Sequence, residues 1–356
     1  MPPPKKFVIQ PFKQHAPMDE EYVQKTWKTL RDAIYEIFAH NASGLSFEEL
    51  YRNAYNMVLH KHGDKLYDGL TATVREHLQR MAEQVEAAND QEFLETLNRK
   101  WSDHKLSMIM IRDILMYMDR TYVAQNKKVP VYELGLSLFR DDVVRALRIK
   151  ERLLGQLLEL VRKERDGEMI NRRLIKMIVS MLVDLGKDVY AQDFERPFLE
   201  ATAAFYKHES GEAIAQNSAS DYMKRAERRL AEEDERVHQY LDSTSEPRLR
   251  EVAERELIAR HMKTLAEMEQ SGLVAMLDDD RRDDLTRTYA LFKRVTTPTS
   301  GLHVIRDILS MHVREQGKSI VDSVGDENAG DAQRDPISFV DDLLKLKDRY
   351  DRIVDD

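Results

Sequence analysis

Ser46-Phe47-Glu48-Glu49-Leu50-Tyr51-Arg52-Asn53-Ala54-Tyr55-Asn56-Met57-Val58-Leu59-His60 is the stretch whose reading decides the fold class. Ser46 is a helix cap by residue type. Glu49, three residues later, completes a capping box, in which each side chain accepts from the other residue's free backbone N–H. Leu45 and Leu50 stand where a hydrophobic staple packs across the first turn. The helix is expected to run to about His60, with Gly63 as its stop. At about 100° per residue, Leu50, Ala54 and Met57 share one side. Phe47, Tyr51, Tyr55 and Val58 fill the neighbouring side, Leu59 lies just beyond, and Glu48 falls among the aromatics. The apolar arc is then roughly 200° wide, whereas one packed face needs a stripe of about 100°. Two explanations stand. The helix is buried from two sides within its own bundle, or Leu50, Ala54 and Met57 face the core while Phe47, Tyr51 and Tyr55 face a partner. Tyrosine suits a partner face because it offers rigid apolar area with a polar tip.

The helical period extends in both directions from this segment. From Asp19, the residues Tyr22, Val23, Trp27, Leu30, Ala33, Ile34, Ile37 and Phe38 recur at three- and four-residue steps and mark one buried face. A third helix is expected over 64–88. A long one over 90–126 carries Trp101, Met108, Ile111, Leu115 and Met118 along one side. Pro130 opens a further helical stretch through Leu134, Leu138, Val143, Leu147, Leu154, Leu157 and Val161 to Gly167. Unbroken, it spans roughly 55 Å, longer than one small domain, as for a rod that links two bundles. Helices follow at about 171–185, 192–216, 219–242, 246–269, 282–294, 300–321 and 336–353. Ser323 to Pro336 is polar and acidic and reads as a loop. No stretch alternates as a strand would, so the expected fold class is all-α. No strict short-period repeat is present.

Composition agrees. The 356 residues include only 13 Gly and 10 Pro, about half the usual share, which argues against an all-β or Gly-rich nucleotide-binding fold. Charged residues make up 33 % and hydrophobic ones 42 %, enough apolar material for a core under a well-solvated surface. Cysteine is absent, so no disulfide, zinc-thiolate site or cysteine nucleophile exists. The net charge of −9 is the wrong sign for a generic nucleic-acid binder. No apolar run approaches the roughly 18 residues of a membrane span, and the start Met1-Pro2-Pro3-Pro4-Lys5-Lys6 lacks a signal-peptide core. The expectation is a cytoplasmic or nuclear protein that engages neither nucleic acid nor membrane. Residues 1–18, with Pro11 and Pro17, read as an extended arm that exposes Phe7, Ile9 and Phe12.

Candidate chemistry is sparse. There is no phosphate loop, no Gly-x-Gly-x-x-Gly turn and no His-Glu-x-x-His pair. A di-iron bundle needs Glu-x-x-His on two helices, and the spacing occurs only at Glu235 and His238. His60 and His62 would point roughly 200° apart on a helix, which fits a solvated end. The basic run Arg162, Lys163, Arg165, Arg172, Arg173 and Lys176 is interspersed with acids and reads as a solvated face. Asp278-Asp279-Asp280 lacks the Gly and closing Glu of a calcium loop. No catalytic residue, metal or cofactor is assigned. One further segment raises the question posed by Ser46–His60. Met110-Ile111-Arg112-Asp113-Ile114-Leu115-Met116-Tyr117-Met118-Asp119-Arg120 is apolar nearly all round. Its Tyr117 lies off the Ile111–Leu115–Met118 side, and as a core residue would need a partner for its hydroxyl.

Ser43 to Tyr55, continuing through Val58 to Gly63, resembles the second helix of the cullin family, cullin-3 type. Ile111 to Arg120 resembles the hallmark of that family's first repeat. Phe194-Glu195-Arg196-Pro197-Phe198-Leu199-Glu200 and Tyr222 through Leu241 resemble the second repeat, and Ser271-Gly272-Leu273 through Phe292 the third. The resemblance covers about residues 17–353. It implies three stacked cullin repeats, each a five-helix bundle, in an elongated curved stalk: an arm at 1–18, then repeats at 19–150, 151–262 and 263–356. It also implies a non-catalytic scaffold of a multisubunit ubiquitin ligase that recruits BTB-domain substrate receptors, as dimers in a two-to-two assembly. Carried over by motif, the receptor contacts are Leu45, Phe47, Glu48, Tyr51 and Tyr55 on the second helix, and Tyr117 and Arg120 on the fifth. Phe7, Ile9 and Phe12 are the arm's anchors in a groove beside the BTB domain. Family members are about twice this long, and their other half, which binds the RING subunit, is absent from this sequence. The alternatives are a stalk of another cullin type that takes a Skp-like adaptor, a general helical tether, and a helical-bundle metalloenzyme.

Overall fold

The computed structural model describes residues 19–296, 299–325 and 336–355. The arm anchors Phe7, Ile9 and Phe12 and most of the connection before Pro336 lie outside the described residues. Among the described residues the regular structure is all helix, with no strand. The chain divides into two compact units, one up to Asp193 and one from Phe194.

Unit 1 opens with α1 (Glu20–Phe38), α2 (Phe47–Leu59), α3 (Gly63–Ala87) and α4 (Phe93–Ile114). On α1 the expected face is buried at Val23, Leu30, Ala33, Ile34, Ile37 and Phe38. Tyr22 departs from it. It is 48 % exposed, because Val23 and Thr26 turn inward beside it in the first turn. Trp27 lies half-buried against α3, where only a glycine fits: a Cβ on Gly69 would stand 2.5 Å from its ring. Gly63 also corrects an expectation. It does not stop α2. α2 ends at Leu59, Lys61 makes the reversal with φ 66°, and Gly63 begins α3. Its missing side chain leaves room for the Tyr122 ring, which a Cβ would meet at 2.5 Å.

The stretch expected as one helix over 90–126 bends at Leu115. It continues as the short α5 (Met116–Met118), a wide turn at Asp119–Val123 and a last turn at Ala124–Asn126. Trp101, Met108, Ile111, Leu115 and Met118 are all buried, as the spacing requires. The rod expected from Pro130 to Gly167 is broken too. α6 (Val131–Phe139) runs into a wide turn at Arg140–Val144, and α7 (Leu147–Arg165) starts afresh; both belong to unit 1. The break changes which side is buried, leaving Leu147, taken as core, 71 % exposed while Ile149, Leu153, Leu157 and Val161 turn inward. Asp193 holds the new direction by accepting from Arg145 at 3.0 Å and Lys150 at 2.8 Å. Arg152 of α7 donates to the carbonyls of Glu86 and Ala88, capping the C-terminal end of α3. α8 (Arg172–Leu185) is capped by the Asn171 carboxamide and packs on α4.

Unit 2 contains α9 (Arg196–Gln216), α10 (Ala219–Tyr240), α11 (Glu246–Glu254), α12 (Met262–Ala266), α13 (Leu273–Asp278), α14 (Arg282–Arg294), α15 (Gly301–Gly325) and α16 (Pro336–Asp355). The helix expected over 246–269 is interrupted by a wide turn at Arg255–Ala259, which sends Glu256, Leu257 and Ile258 inward together. Tyr206, Tyr222, Met223, Leu257, Met262, Leu265 and Phe292 meet in its core. Polar groups are buried with them. Glu233 accepts from the Tyr206 hydroxyl and from Arg236, and all three side chains are buried. Glu209 accepts from Arg225 and Arg229, and Glu195 from Ser245 and Arg248.

Candidate interaction face of the first unit

The face begins with the start of α2. Ser46 has extended backbone, and its Oγ accepts from the Glu49 N–H at 3.4 Å, so the serine half of the capping box is formed. Leu50, Ala54 and Met57 are the buried residues of α2, the core side read from the spacing. The remaining apolar residues are not swallowed by the bundle. Phe47 is 39 % exposed, and Leu45, Tyr51, Tyr55 and Val58 are half-buried. Of the two explanations for the wide apolar arc, burial from both sides fails for this helix. A second, partly accessible stripe remains beside the core side.

α2 packs against α5, which brings in the other segment. The Tyr55 and Tyr117 rings lie 4.4 Å apart between centroids, tilted by 52°. Such tilted aromatic pairs are favourable beyond the area they bury. Tyr117 is half-buried, so it is neither a core residue nor a free one. Glu48 is exposed and paired with Arg52 at 2.8 Å, one helical turn on. Arg120 is exposed in the wide turn at Asp119–Val123. The structure thus joins Tyr55 to Tyr117 by direct contact, and places Phe47 and Glu48 in the first turn of the same helix as Tyr55. Leu45 precedes that turn and is half-buried.

Two residues of this region are not singled out by sequence reasoning. Asp119 accepts from the Val131 N–H with both carboxylate oxygens, at 3.0 and 3.3 Å, and so caps α6 from twelve residues away. Burial raises its pKa, opposed by the Val131 N–H bond. The available signal is Pro130: a helix that starts behind a proline has no capping side chain at that position and must borrow one. Met116 is the second. It is 36 % exposed, whereas its neighbours Leu115 and Met118 are buried. It follows the exposed Arg112 and Asp113 by four and three residues, so helical spacing already puts it on the solvent side of the segment. Behind the face, Lys128 lies over the rings of Tyr67 and Tyr122 at 4.5 and 5.1 Å, and the Tyr67 hydroxyl donates to the Val129 carbonyl at 2.9 Å. These contacts fasten the segment that follows Tyr117 and Arg120.

Other candidates hold no site. Among the described residues no His, Asp and Glu side chains cluster as metal ligands; Glu235 and His238 are both exposed. The His60 Nδ1 faces the Asn56 carbonyl at 2.9 Å. In the basic run, Arg162 pairs with Glu159 and Asp166, and Arg172 with Glu164. In a cleft of about 590 Å³ beside α1 and α3, Tyr35 and Arg80 are paired with Glu76 and Lys100 with Gln84. No described helix is long and apolar enough to cross a membrane.

Comparison with known proteins gives the family. The family model described as Cullin alpha solenoid domain matches residues 27–356. The chain belongs to the cullin family. It is 53 % identical over 348 residues to Cullin-3B of Arabidopsis thaliana, covering 98 % of this chain and 46 % of that protein. It is 50 % identical over 340 residues to Cullin-3 of Dictyostelium discoideum, covering 94 % and 43 %. Identity to Cullin-4A of Mus musculus is 32 % over 354 residues, covering 99 % and 44 %. The chain spans less than half the length of these relatives.

Proposed function

We propose that this chain is a non-catalytic scaffold segment of a cullin-RING ubiquitin ligase, and that unit 1 docks BTB-domain substrate receptors. The observation that carries the reading is the second stripe of α2. Phe47 is exposed and Tyr51 and Tyr55 are half-buried beside a fully formed core side, and Tyr117 extends the stripe. Large, rigid aromatics held by their own bundle lose little freedom when a partner covers them. The identity to proteins named cullin-3, higher than to Cullin-4A, supports the cullin-3 type from which this receptor class is carried over. The mechanism is positional: stacked helices hold a receptor at a fixed place, and a RING subunit bound to the other half of the full-length protein does the chemistry. The three-repeat division at 19–150, 151–262 and 263–356 and the two-to-two assembly with a dimeric receptor belong to the same proposal. So does the docking of Phe7, Ile9 and Phe12 in a groove beside the BTB domain.

The test is a calorimetric titration of the chain with a dimeric BTB protein that retains its following helices, beside a Skp-like adaptor and a deletion of residues 1–17. The reading predicts saturable heat with the BTB protein, none with the adaptor, and weaker binding after the deletion. Heat with the adaptor and none with several BTB proteins would overturn it.

A further inference from the structure

Two residues apart on a helix, Met116 and Met118 point to opposite sides. Met118 is buried against the core, while Met116, two residues earlier, is 36 % exposed and directly precedes Tyr117 in the stripe. A thioether is polarisable and apolar, and suits the margin of an aromatic contact. It is also the side chain on this face that a mild two-electron oxidant converts from apolar to polar. Phe47 and the tyrosines lack that reversible chemistry. We infer that Met116 is an oxidation-sensitive contact of the face: hydroperoxides convert it to the sulfoxide and thereby weaken receptor docking. The inference rests on the docking reading above and adds its regulation.

The step balances. A sulfur lone pair of Met116 attacks one oxygen of hydrogen peroxide, forming the S–O bond as the O–O bond breaks. The departing hydroxide takes the remaining proton and leaves as water. Sulfur is oxidised by two electrons and peroxide is reduced. The sulfoxide places a strong acceptor and a new chiral centre where the docked partner requires dry apolar surface, so the oxygen must stay hydrated or lose its water without return. Methionine sulfoxide reductases reverse the change.

The structure supplies internal controls. Met169, 101 % exposed, and Met311, 59 % exposed, are oxidised at least as readily but lie on the 166–171 connection and on α15 of unit 2, off the stripe. Met57, Met81, Met108 and Met118 are buried and are shielded in the folded protein. In the experiment, the folded chain is treated with hydrogen peroxide, oxidised sites are assigned by peptide mass, and binding to the dimeric BTB protein is titrated before and after. The same series is run on Met116→Leu, a volume-conserving change that keeps the apolar contact. The expected result is sulfoxide at Met116, Met169 and Met311, about tenfold weaker binding for the wild-type chain, recovery after reductase treatment, and no peroxide effect on Met116→Leu. Met116 that resists oxidation in the folded chain overturns the inference. So does oxidised Met116 with unchanged affinity, or equal loss in Met116→Leu. All three leave the docking reading intact. Untreated protein that binds no BTB receptor is the different failure, of the docking reading itself, and takes this inference with it.

Discussion

The core around α4 of unit 1 and the core around α9 and α10 of unit 2 solve the same helical packing problem with different chemistry. In unit 1, Trp101 and His104 pack on Phe139, and the buried His104 donates through Nε2 to the Gly135 carbonyl at 2.9 Å. His77 lies flat on Phe38, with ring centroids 3.9 Å apart. Both imidazoles are held neutral, burial pushing each pKa down to about 4. Unit 2 instead draws carboxylates into ion pairs at its core: Glu233 with Arg236, Glu209 with Arg225 and Arg229. Burial raises the Glu209 pKa and its bonds to Arg229 and Arg225 lower it; the net direction is down. The difference teaches where each unit spends its aromatics. Unit 1 has enough to fill a core and leave a stripe outside. Unit 2 buries Tyr206 and Tyr240 and holds its helices in register with charge.

The largest expected effect breaks the charged side of this contrast. Glu233→Ala removes a buried carboxylate that accepts from both Arg236 and the Tyr206 hydroxyl, and losing one partner of a buried pair costs about 3–5 kcal/mol. Both tryptophans, Trp27 and Trp101, lie in unit 1, so tryptophan fluorescence reports that unit alone. In a urea titration, the far-ultraviolet helix signal should begin to fall earlier in the variant while the tryptophan midpoint stays within error. A tryptophan midpoint that shifts just as far would erase the contrast.

Acid should separate the cores next. A histidine whose pKa falls from about 6.5 unfolded to about 4 folded binds its proton more readily in the unfolded chain. Its stabilising contribution is complete above pH 6.5 and is lost as pH falls towards 4. For the buried His104 the full loss is about 3 kcal/mol, at 1.36 kcal/mol per pKa unit. Glu209, with its folded pKa lowered, contributes above the ordinary carboxyl range, and that contribution is lost only as pH falls below it. Urea midpoints by tryptophan fluorescence should therefore drop between pH 6.5 and 4, before the ion pairs of unit 2 give way. Flat midpoints across that window would contradict neutral burial of the histidines.

Smaller effects probe the open stripe. Tyr51→Ala and Tyr117→Ala should each weaken receptor binding by about 1–3 kcal/mol, the range of aromatic hot spots, with little change in the melting curve. Equal loss of stability and of binding would mean that these rings are core and not face. Smallest of all, Arg52→Ala removes an exposed partner of Glu48, and such surface pairs contribute little to stability. Its expected trace is an altered salt dependence of the association rate, read by stopped flow.

Much of this was legible in the sequence. The Ser46 cap, the Leu50–Ala54–Met57 core side and the aromatic stripe next to it follow from helical spacing alone, and the structure bears out each one. The resemblance to cullins supplied Tyr117, which spacing only marked as off the core side. What spacing does not carry is where a long helix breaks. Leu115, Arg140–Val144 and Arg255–Ala259 hold no proline or glycine, and residues there keep helical character while one extra residue per turn rotates the buried side. For the same reason Leu147 was assigned to the core and proved exposed, while Tyr22 is exposed because Val23 and Thr26 take the inward positions of the first turn of α1; the capping role of Asp119 was not read from the sequence. Gly63 was read as a stop because glycine ends helices, whereas its use here is to admit the ring of Tyr122, a contact from 59 residues along the chain that no local rule encodes.

The central claim is that the α2 stripe is a docking face for a BTB receptor and not a second core side. Isothermal titration of the dimeric BTB protein into Tyr55→Ala, beside the wild-type chain, tests it most directly, with circular dichroism and tryptophan fluorescence confirming that both are folded. Loss of the Tyr55 ring removes the contact with Tyr117 and the centre of the stripe together. The account predicts tight binding by the wild-type chain, a drop of about tenfold to a hundredfold or more in the variant, and a nearly unchanged melting curve. Undiminished binding by a folded Tyr55→Ala chain would contradict it.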